Sequence, residues 1–155
     1  MKLTAATLES QLEKVKDLES RLTFRLSVLS KVLDHQSVEL LKGSPLSLTG
    51  YRIMNVVETF GAISISDLSR FTALDRAQIS RTAENLGKQG LVTFSADPNS
   101  KRKKLVNLSV EGRRILDEVR PKFADRQKQL KEQIGQEDED ALWRGLSKLG
   151  EVLGT

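Results

Sequence analysis

The sequence predicts a mainly α-helical chain that contains one small β-hairpin. Three observations lead to this fold class. Apolar residues recur at helical spacing from Leu8 to Leu33 and again from Leu142 to Leu153. Between these segments lie short amphipathic stretches, each preceded by Ser, Thr or Asp. The last of them is followed by two β-prone segments around a turn at Asp97-Pro98-Asn99. This order is that of a winged helix-turn-helix set between long terminal helices.

The N-terminal segment carries a heptad pattern typical of helices that pack on other helices. Its apolar residues recur at alternating steps of four and three, broken at Glu19: Leu8, Leu12, Val15, Leu22, Leu26, Leu29 and Leu33. We predict one continuous helix over residues 1–40, ending near Gly43 before Pro45. The stripe is longer than a small domain can cover, so a second chain is its expected partner. An ordinary core helix is the alternative.

A second helix and a very short strand follow. The helix is predicted to open at Leu48-Thr49-Gly50 with Thr49 as its N-cap, and to close at Gly61. Its buried stripe is expected to be Ile53, Val56, Val57 and Phe60. Ile63-Ser64-Ile65 alternates briefly between apolar and polar, which predicts the short strand.

The third and fourth helices have the lengths of a helix-turn-helix. Ser66 is predicted to cap the third, with Leu68 and Phe71 facing inward, and Asp75 to cap the fourth, which stops at Gly90. The helical period turns Ile79, Ala83 and Leu86 of the fourth helix inward. Short polar or cationic residues are then left facing outward near its start: Arg76, Ala77, Gln78, Ser80 and Arg81. Gln pairs well with an adenine edge and Arg with guanine or phosphate, while Ser permits a close backbone approach.

A basic hairpin follows that helix. Leu91 to Ser95 and Lys103 to Leu108 are predicted to pair as antiparallel strands. Four consecutive cations lie at or beside its tip: Lys101, Arg102, Lys103 and Lys104. The segment from Ser64 to Arg114 contains ten Lys and Arg residues but only five Asp and Glu residues, so the positive charge of the chain is concentrated in it. We expect the lysines to contact phosphates and Arg102 to enter a minor groove, although a solvated basic loop is the alternative.

The C-terminal third is predicted to form two more helices. Ser109 is expected to cap the first, whose apolar residues are Ile115, Leu116, Val119, Phe123 and Leu130; Pro121 predicts a kink or a restart inside it. The second runs from Glu137 with an apolar stripe of Leu142, Trp143, Leu146, Leu149, Val152 and Leu153. We expect Trp143 to lie in a dimer core.

Composition excludes several functions. The chain has no cysteine, hence no disulfide or thiolate chemistry. No apolar run approaches the roughly 18 residues of a membrane span, and no signal peptide is evident, so we expect a cytoplasmic protein without membrane contact. Few aromatics argue against single-strand or RNA binding. We find no paired carboxylate site, activated nucleophile, phosphate loop or metal cluster, and therefore expect no enzyme, cofactor or metal site.

The central motifs resemble those of the MarR family of bacterial transcription regulators. Ile79-Ser80-Arg81, Leu86 and Gly90-Leu91-Val92 resemble the family's recognition helix and exit strand. Asp97 to Arg102, Leu105-Val106-Asn107-Leu108-Ser109 and Gly112 resemble its wing. In the family's wing an acidic residue usually braces the wing arginine. This chain has Ser100 at the position of that acidic residue and Arg102 at the position of the arginine. With Ser100 in that place, the expected alternatives are a looser wing tip or a brace from Asp97 instead.

The resemblance implies a homodimeric repressor that binds a palindromic double-stranded operator and is released by a small aromatic or phenolic effector. Residues 48–112 would form the DNA-binding lobe, and residues 1–44 and 120–155 the dimerisation helices. Arg25, His35 and Tyr51 are candidate effector-binding residues. Lacking cysteine, the chain cannot be one of the family's thiol-based peroxide sensors. The alternative function is a winged-helix protein-interaction module without DNA binding, against which the basic run Lys101 to Lys104 argues.

Overall fold

The computed structural model describes residues 5–98 and 100–154, with side chains described for residues 8–98 and 103–154. Its elements follow in the order α1 (Ala5–Ser20), α2 (Leu22–Leu40), α3 (Leu48–Phe60), β1 (Ile63–Ser64), α4 (Ile65–Thr72), α5 (Arg76–Lys88), β2 (Val92–Asp97), β3 (Ser100–Leu108), α6 (Val110–Ile134) and α7 (Gln136–Leu153). The mainly helical fold with a small sheet is as predicted. The chain divides into two compact units, one ending at Gly43 and the other beginning at Ser44.

The N-terminal unit consists of α1 and α2, so the prediction of one continuous helix is wrong at Arg21. That residue has an extended backbone, with φ −73° and ψ 118°. The Ser20 hydroxyl donates to the carbonyl oxygen of Asp17 (2.7 Å), and Arg25 Nε donates to that of Glu19 (2.6 Å). Side chains therefore take up carbonyls at the end of α1 that would otherwise lack partners. The break lies beside Glu19, where the heptad pattern is interrupted.

The core of the C-terminal unit draws on five of its elements. Its fully buried side chains lie on α3, α4, α5, β3 and α6: Ile53, Met54, Val57, Leu68, Ile79, Val106, Leu116 and Val119. Helices and sheet therefore bury their apolar faces in one place, which holds α5 and the hairpin against a common support.

The sheet has three antiparallel strands in the order β1-β3-β2. The predicted hairpin is confirmed, and its strands extend beyond the predicted bounds to Asp97 and from Ser100. Val106 of β3 lies opposite Ile63 on one side and Phe94 on the other, and the β2–β3 register shifts between Ala96 and Asp97. The short strand predicted at residues 63–65 is present as Ile63–Ser64, which pairs with β3, whereas Ile65 already belongs to α4.

Two helix caps differ from the prediction. Ser47 Oγ, rather than Thr49, caps α3 by accepting a hydrogen bond from the Gly50 amide (3.1 Å). Ser64 Oγ, rather than Ser66, caps α4 by accepting from the Asp67 amide (3.2 Å). Both caps have the extended backbone that an N-cap requires, whereas Thr49 and Ser66 lie inside their helices. The caps predicted at Asp75 and Ser109 are confirmed.

Phe60 and Phe71 are not buried, contrary to the prediction. Their side chains are 54% and 52% exposed, and their rings stack on each other with centroids 4.4 Å apart. Met54, which lies beside Ile53, takes the buried place on α3 instead. Each ring removes part of the other from water, so the two lie together on the surface rather than in the core.

The C-terminal helices extend beyond the core. α6 continues through Pro121 to Ile134, so of the two outcomes predicted at the proline, the restart is wrong, and the kink stays a prediction. Its buried residues are Gly112, Ile115, Leu116 and Val119. α7 has no buried residue, and Trp143 is 63% exposed. The apolar stripe of α7 is thus exposed to solvent in a single chain.

Candidate nucleic-acid interface

The turn between α4 and α5 is held by local hydrogen bonds. Ala73 ends α4 in the left-handed conformation, with φ 52° and ψ 30°. The Ser69 hydroxyl donates to the carbonyl oxygen of Leu74 (2.6 Å), which spans the turn. Asp75 then caps α5 by accepting a hydrogen bond from the Gln78 amide (3.0 Å). The direction in which α5 leaves the turn is thereby fixed by three consecutive constraints.

α5 divides its residues as the helical period predicts. Ile79, Ala83 and Leu86 are buried. On the other side Arg76, Ala77 and Arg81 are exposed, and Gln78 and Ser80 are half-buried. Within the described part of the chain neither Arg76 nor Arg81 forms an ion pair. Two guanidinium groups are therefore available to an external acceptor along the first half of the helix.

The hairpin of β2 and β3, called the wing below, continues the basic surface. Lys103 and Lys104 are exposed. The side chains of Ser100, Lys101 and Arg102 lie outside the described residues, as does the expected bracing of Arg102 by Asp97. Lower on the wing, Asn107 Nδ2 donates to Ser95 Oγ across the strands (2.9 Å).

Two close contacts fix the base of the wing. A Cβ atom on Gly87 of α5 would lie 2.8 Å from the Phe94 ring of β2, so the ring rests directly on α5. At the start of α6, Ser109 Oγ donates to the Gly90 carbonyl oxygen (2.7 Å) and the Ser109 amide to that of Leu91 (3.1 Å). Wing, α5 and α6 thus meet around Gly90 and Leu91, a convergence that sequence patterns did not indicate.

The three candidate effector residues are distributed over both units. In the N-terminal unit Arg25 is exposed, and exposed His35 borders a surface groove of about 480 Å³ together with Ser27, Val28, Lys31, Val32 and Gln36. Arg25 does not line that groove. In the C-terminal unit Tyr51 is half-buried and stacks on Phe123 with ring centroids 4.1 Å apart.

A polar link between α3 and α6 was missed by the sequence analysis. Glu58 accepts two hydrogen bonds from Arg120 Nη2 (2.8 and 2.7 Å), and this contact raises the pKa of the Arg120 guanidinium above its ordinary value. Arg113 lies 3.9 Å from the same carboxylate. No sequence signal could have paired residues 62 positions apart.

Among the described residues, no group of three or more His, Asp or Glu side chains is placed to hold a metal ion. None of the described helices is both long enough and apolar enough to cross a membrane.

The region that contains α5 and the wing resembles known proteins in sequence and fold. Residues 46–104 match the MarR family model, whereas no curated protein sequence matches significantly. A MarR/EmrR family transcriptional regulator from Acinetobacter sp. ADP1 has the same fold, with TM-score 0.78 and 24% identity over 85% of this chain and 94% of that one. A probable transcriptional regulator from Pseudomonas aeruginosa is 27% identical, with TM-score 0.70 over 85% and 98% of the two chains.

A third solved structure concerns ligand control. Bordetella bronchiseptica BpsR, whose DNA binding is regulated by 6-hydroxynicotinic acid, is 23% identical, with TM-score 0.66 over 81% of this chain and 98% of that one. The resemblance expected from the sequence motifs is therefore confirmed. The chain carries a MarR family match across its winged helix-turn-helix, and most of its length has the fold of MarR family transcriptional regulators.

Proposed function

We propose that this chain is a homodimeric, sequence-specific regulator that binds palindromic double-stranded DNA and represses transcription until a small effector releases it. Residues 48–112 form the DNA-binding lobe, and residues 1–44 and 120–155 hold the two chains together. As a bacterial DNA-binding regulator it acts in the cytoplasm, where the genome is.

The observation that carries the proposal is the exposed half-face of α5. Arg76, Ala77 and Arg81 are solvent-accessible on a helix whose opposite face is anchored in the core. A helix presented in this way enters a major groove, with Gln78 and the two arginines within reach of base edges or phosphates. Ser80 is short enough to let the helix approach the bases closely.

The wing supplies the second contact in this proposal. Lys101, Arg102, Lys103 and Lys104 place four cations on or beside one hairpin tip. Cations there neutralise phosphates, and an arginine at the tip suits the negative potential of a narrow A·T minor groove. Bases are thus read by α5, while the wing contributes affinity and shape recognition.

The proposed effector is a small aromatic or phenolic molecule. BpsR, with the same fold, responds to a hydroxylated aromatic acid. We assign Arg25, His35 and Tyr51 as candidate ligand contacts, each to be tested separately. A panel of hydroxylated aromatic acids should release the DNA complex. Release that persists unchanged in Arg25→Ala, His35→Ala and Tyr51→Phe would remove all three residues from the assignment.

Selection of bound duplexes from a fragment library of the source genome tests DNA binding. We expect palindromic sites whose half-sites are separated by about one duplex turn, roughly 10–10.5 base pairs. Recovery of no specific duplex, with a folded protein at low salt, would contradict the proposal and favour a protein-interaction module.

The base-reading role is tested on the selected duplex with Arg81→Ala. If Arg81 makes a bidentate base contact, binding weakens by roughly 1–3 kcal/mol and preference relaxes at one position per half-site. The matched control is Lys88→Ala, which removes an exposed cation from the last turn of the same helix. Equal losses on all duplexes would make Arg81 a phosphate contact, and no loss would remove it from the interface.

A further inference from the structure

α6 leaves the core of the C-terminal unit at a definite point. Its buried residues end with Val119, and from Arg120 to Ile134 none of its residues is buried. We call residues 120–134 the stem. The first part of α6 therefore belongs to the DNA-binding lobe, whereas the stem projects from the core, and the boundary lies between Val119 and Arg120.

The helix backbone is weakened at that same boundary. Pro121 lies inside α6 and has no amide hydrogen, so the carbonyl of Asp117 lacks its usual helical donor. A missing bond in the ladder, together with the crowding of the proline ring, is a recognised cause of local bending in helices. The junction of lobe and stem is thus a place where α6 lacks one backbone hydrogen bond.

Two contacts from α3 hold α6 on either side of the proline. Just before it, Arg120 Nη2 donates to both carboxylate oxygens of Glu58, at 2.8 and 2.7 Å. Just after it, Phe123 stacks on Tyr51 with ring centroids 4.1 Å apart and planes 16° from parallel. We call Glu58, Arg120, Tyr51 and Phe123 the brace.

The brace is suited to orientation more than to folding. Glu58 is only 22% exposed, but Arg120 is 54% exposed, and partly solvated ion pairs contribute little to the stability of the fold. Both carboxylate oxygens of Glu58 nevertheless converge on the single nitrogen Nη2 of Arg120, and this contact restrains the angle between the two helices. Arg120 also lies 3.1 Å from Asp117, the residue whose backbone carbonyl the proline leaves without a donor.

The orientation of α3 is passed on to α5. A Cβ atom on Gly50 of α3 would lie 3.4 Å from Leu86 of α5, so the two helices touch directly. Because α3 packs against α5, a contact that fixes the angle between α3 and the stem also fixes the angle between α5 and the stem.

We propose that Glu58 and Arg120 are positioning residues that set the angle between the DNA-binding lobe and the stem across a proline joint, and thereby the half-site spacing that the dimer recognises. This inference rests on the proposed function, since it requires two lobes joined through the terminal helices. The brace contacts no base; it determines how far apart the two α5 helices are held.

Glu58→Ala tests the proposal. The probes are duplexes carrying the selected half-site at its preferred spacing and at spacings one base pair shorter and longer, with a single half-site as reference. We expect the ratio of affinities between preferred and altered spacings to fall at least threefold, while affinity for the single half-site stays unchanged. The matched control is Glu118→Ala. Glu118 pairs with Arg114 within α6, so this substitution removes the same charge without affecting a contact to α3.

Three outcomes would overturn the inference. One is an unchanged spacing ratio in Glu58→Ala, and another is an equal change in Glu118→Ala. The third is a loss of single-half-site affinity with the spacing ratio preserved, accompanied by a lowered melting temperature. If the wild-type chain binds none of the duplexes, the proposed function itself fails.

A second variant tests the joint. Pro121→Ala restores an amide donor to Asp117, so in the Glu58→Ala background it should return the spacing ratio towards the wild-type value. Equilibrium affinities on the same duplexes are the readout, with a melting curve for each variant. A ratio that stays low would contradict the role of the proline.

Discussion

At the scale of single residues, Gly112 is the glycine whose added Cβ atom would meet the closest neighbour among the described glycines. A Cβ atom there would overlap the carbonyl oxygen of Leu91 and would lie 3.0 Å from its carbonyl carbon and 3.1 Å from Leu108 Cδ1. The first two neighbours are backbone atoms, which cannot rotate away. The absence of a side chain at Gly112 therefore allows α6 to start directly against the base of the wing.

Gly112→Ala should destabilise the fold by about 1–3 kcal/mol, because overpacking forces the backbone to move. Denaturant unfolding followed by circular dichroism measures this change. Gly145→Ala is the matched control: no atom lies within 4 Å of its added methyl group, and alanine favours a helix over glycine by up to about 1 kcal/mol. Equal stability of Gly112→Ala and wild type would contradict the close approach of α6 to the backbone of Leu91.

At the scale of elements, the proposed function gives the wing and α5 separable roles. α5 is anchored by its core face and capped by Asp75, whereas the wing rests on α5 through Phe94 and Gly87. Sequence-specific affinity should therefore depend on α5. The salt dependence of binding should depend on the cations of the wing, because phosphate neutralisation releases counterions.

Arg102→Ala should flatten the log–log salt dependence of operator affinity by nearly 2 units. An arginine in the minor groove lies in the field of the flanking phosphates and displaces a counterion, which contributes about 0.9 to the slope, and a dimer has two wings. The free energy of unfolding should change by less than about 0.5 kcal/mol, because substitutions at an exposed hairpin tip usually have small effects on stability. A salt titration of the selected duplex is the measurement, with Lys128→Ala of the stem as control. An unchanged slope with an intact fold would show that the wing does not contact DNA.

At the scale of the whole molecule, the terminal helices leave large apolar surfaces uncovered within one chain. α7 has no buried residue, although it carries Leu142, Trp143 and Leu146. On α1 and α2 the heptad residues are likewise mostly exposed, Leu8, Leu12, Val15, Leu22 and Leu29 among them. Exposed apolar surface of this extent marks an interface, and a second copy of the chain is the partner that the proposed function requires.

The double substitution Trp143→Glu with Leu146→Glu should convert the dimer into a folded monomer. Charges placed on an apolar interface lack compensation there, whereas in a single chain both side chains face water. Light scattering gives the mass, and circular dichroism checks the fold. Val110→Glu, at a 90% exposed apolar residue of α6, should remain dimeric. A dimeric double variant would refute the role of α7. Deleting residues 1–20 together with 136–155 should likewise abolish the dimer.

The sequence by itself determined those features that depend on neighbouring residues. The cap at Asp75, the inward face of Ile79, Ala83 and Leu86, and the hairpin around residues 97–99 all follow from local backbone preferences and helical or strand period. The candidate DNA-contacting residues on α5 were predicted for the same reason. Their role in binding stays a prediction, as does that of the wing cations.

Only the tertiary structure decided features that join distant residues. Phe60 and Phe71 are large apolar residues of the kind usually found in a core, yet they stack on each other at the surface. Their burial depends on whether another element covers the helix face on which each of them lies. The pairing of β1 with β3 likewise depends on contacts made after the elements form. Glu58 and Arg120 lie on polar faces in the sequence pattern, and only the packing of α3 against α6 makes them a hydrogen-bonded ion pair. Local period determines which face of a helix is apolar, but long-range packing determines what that face meets.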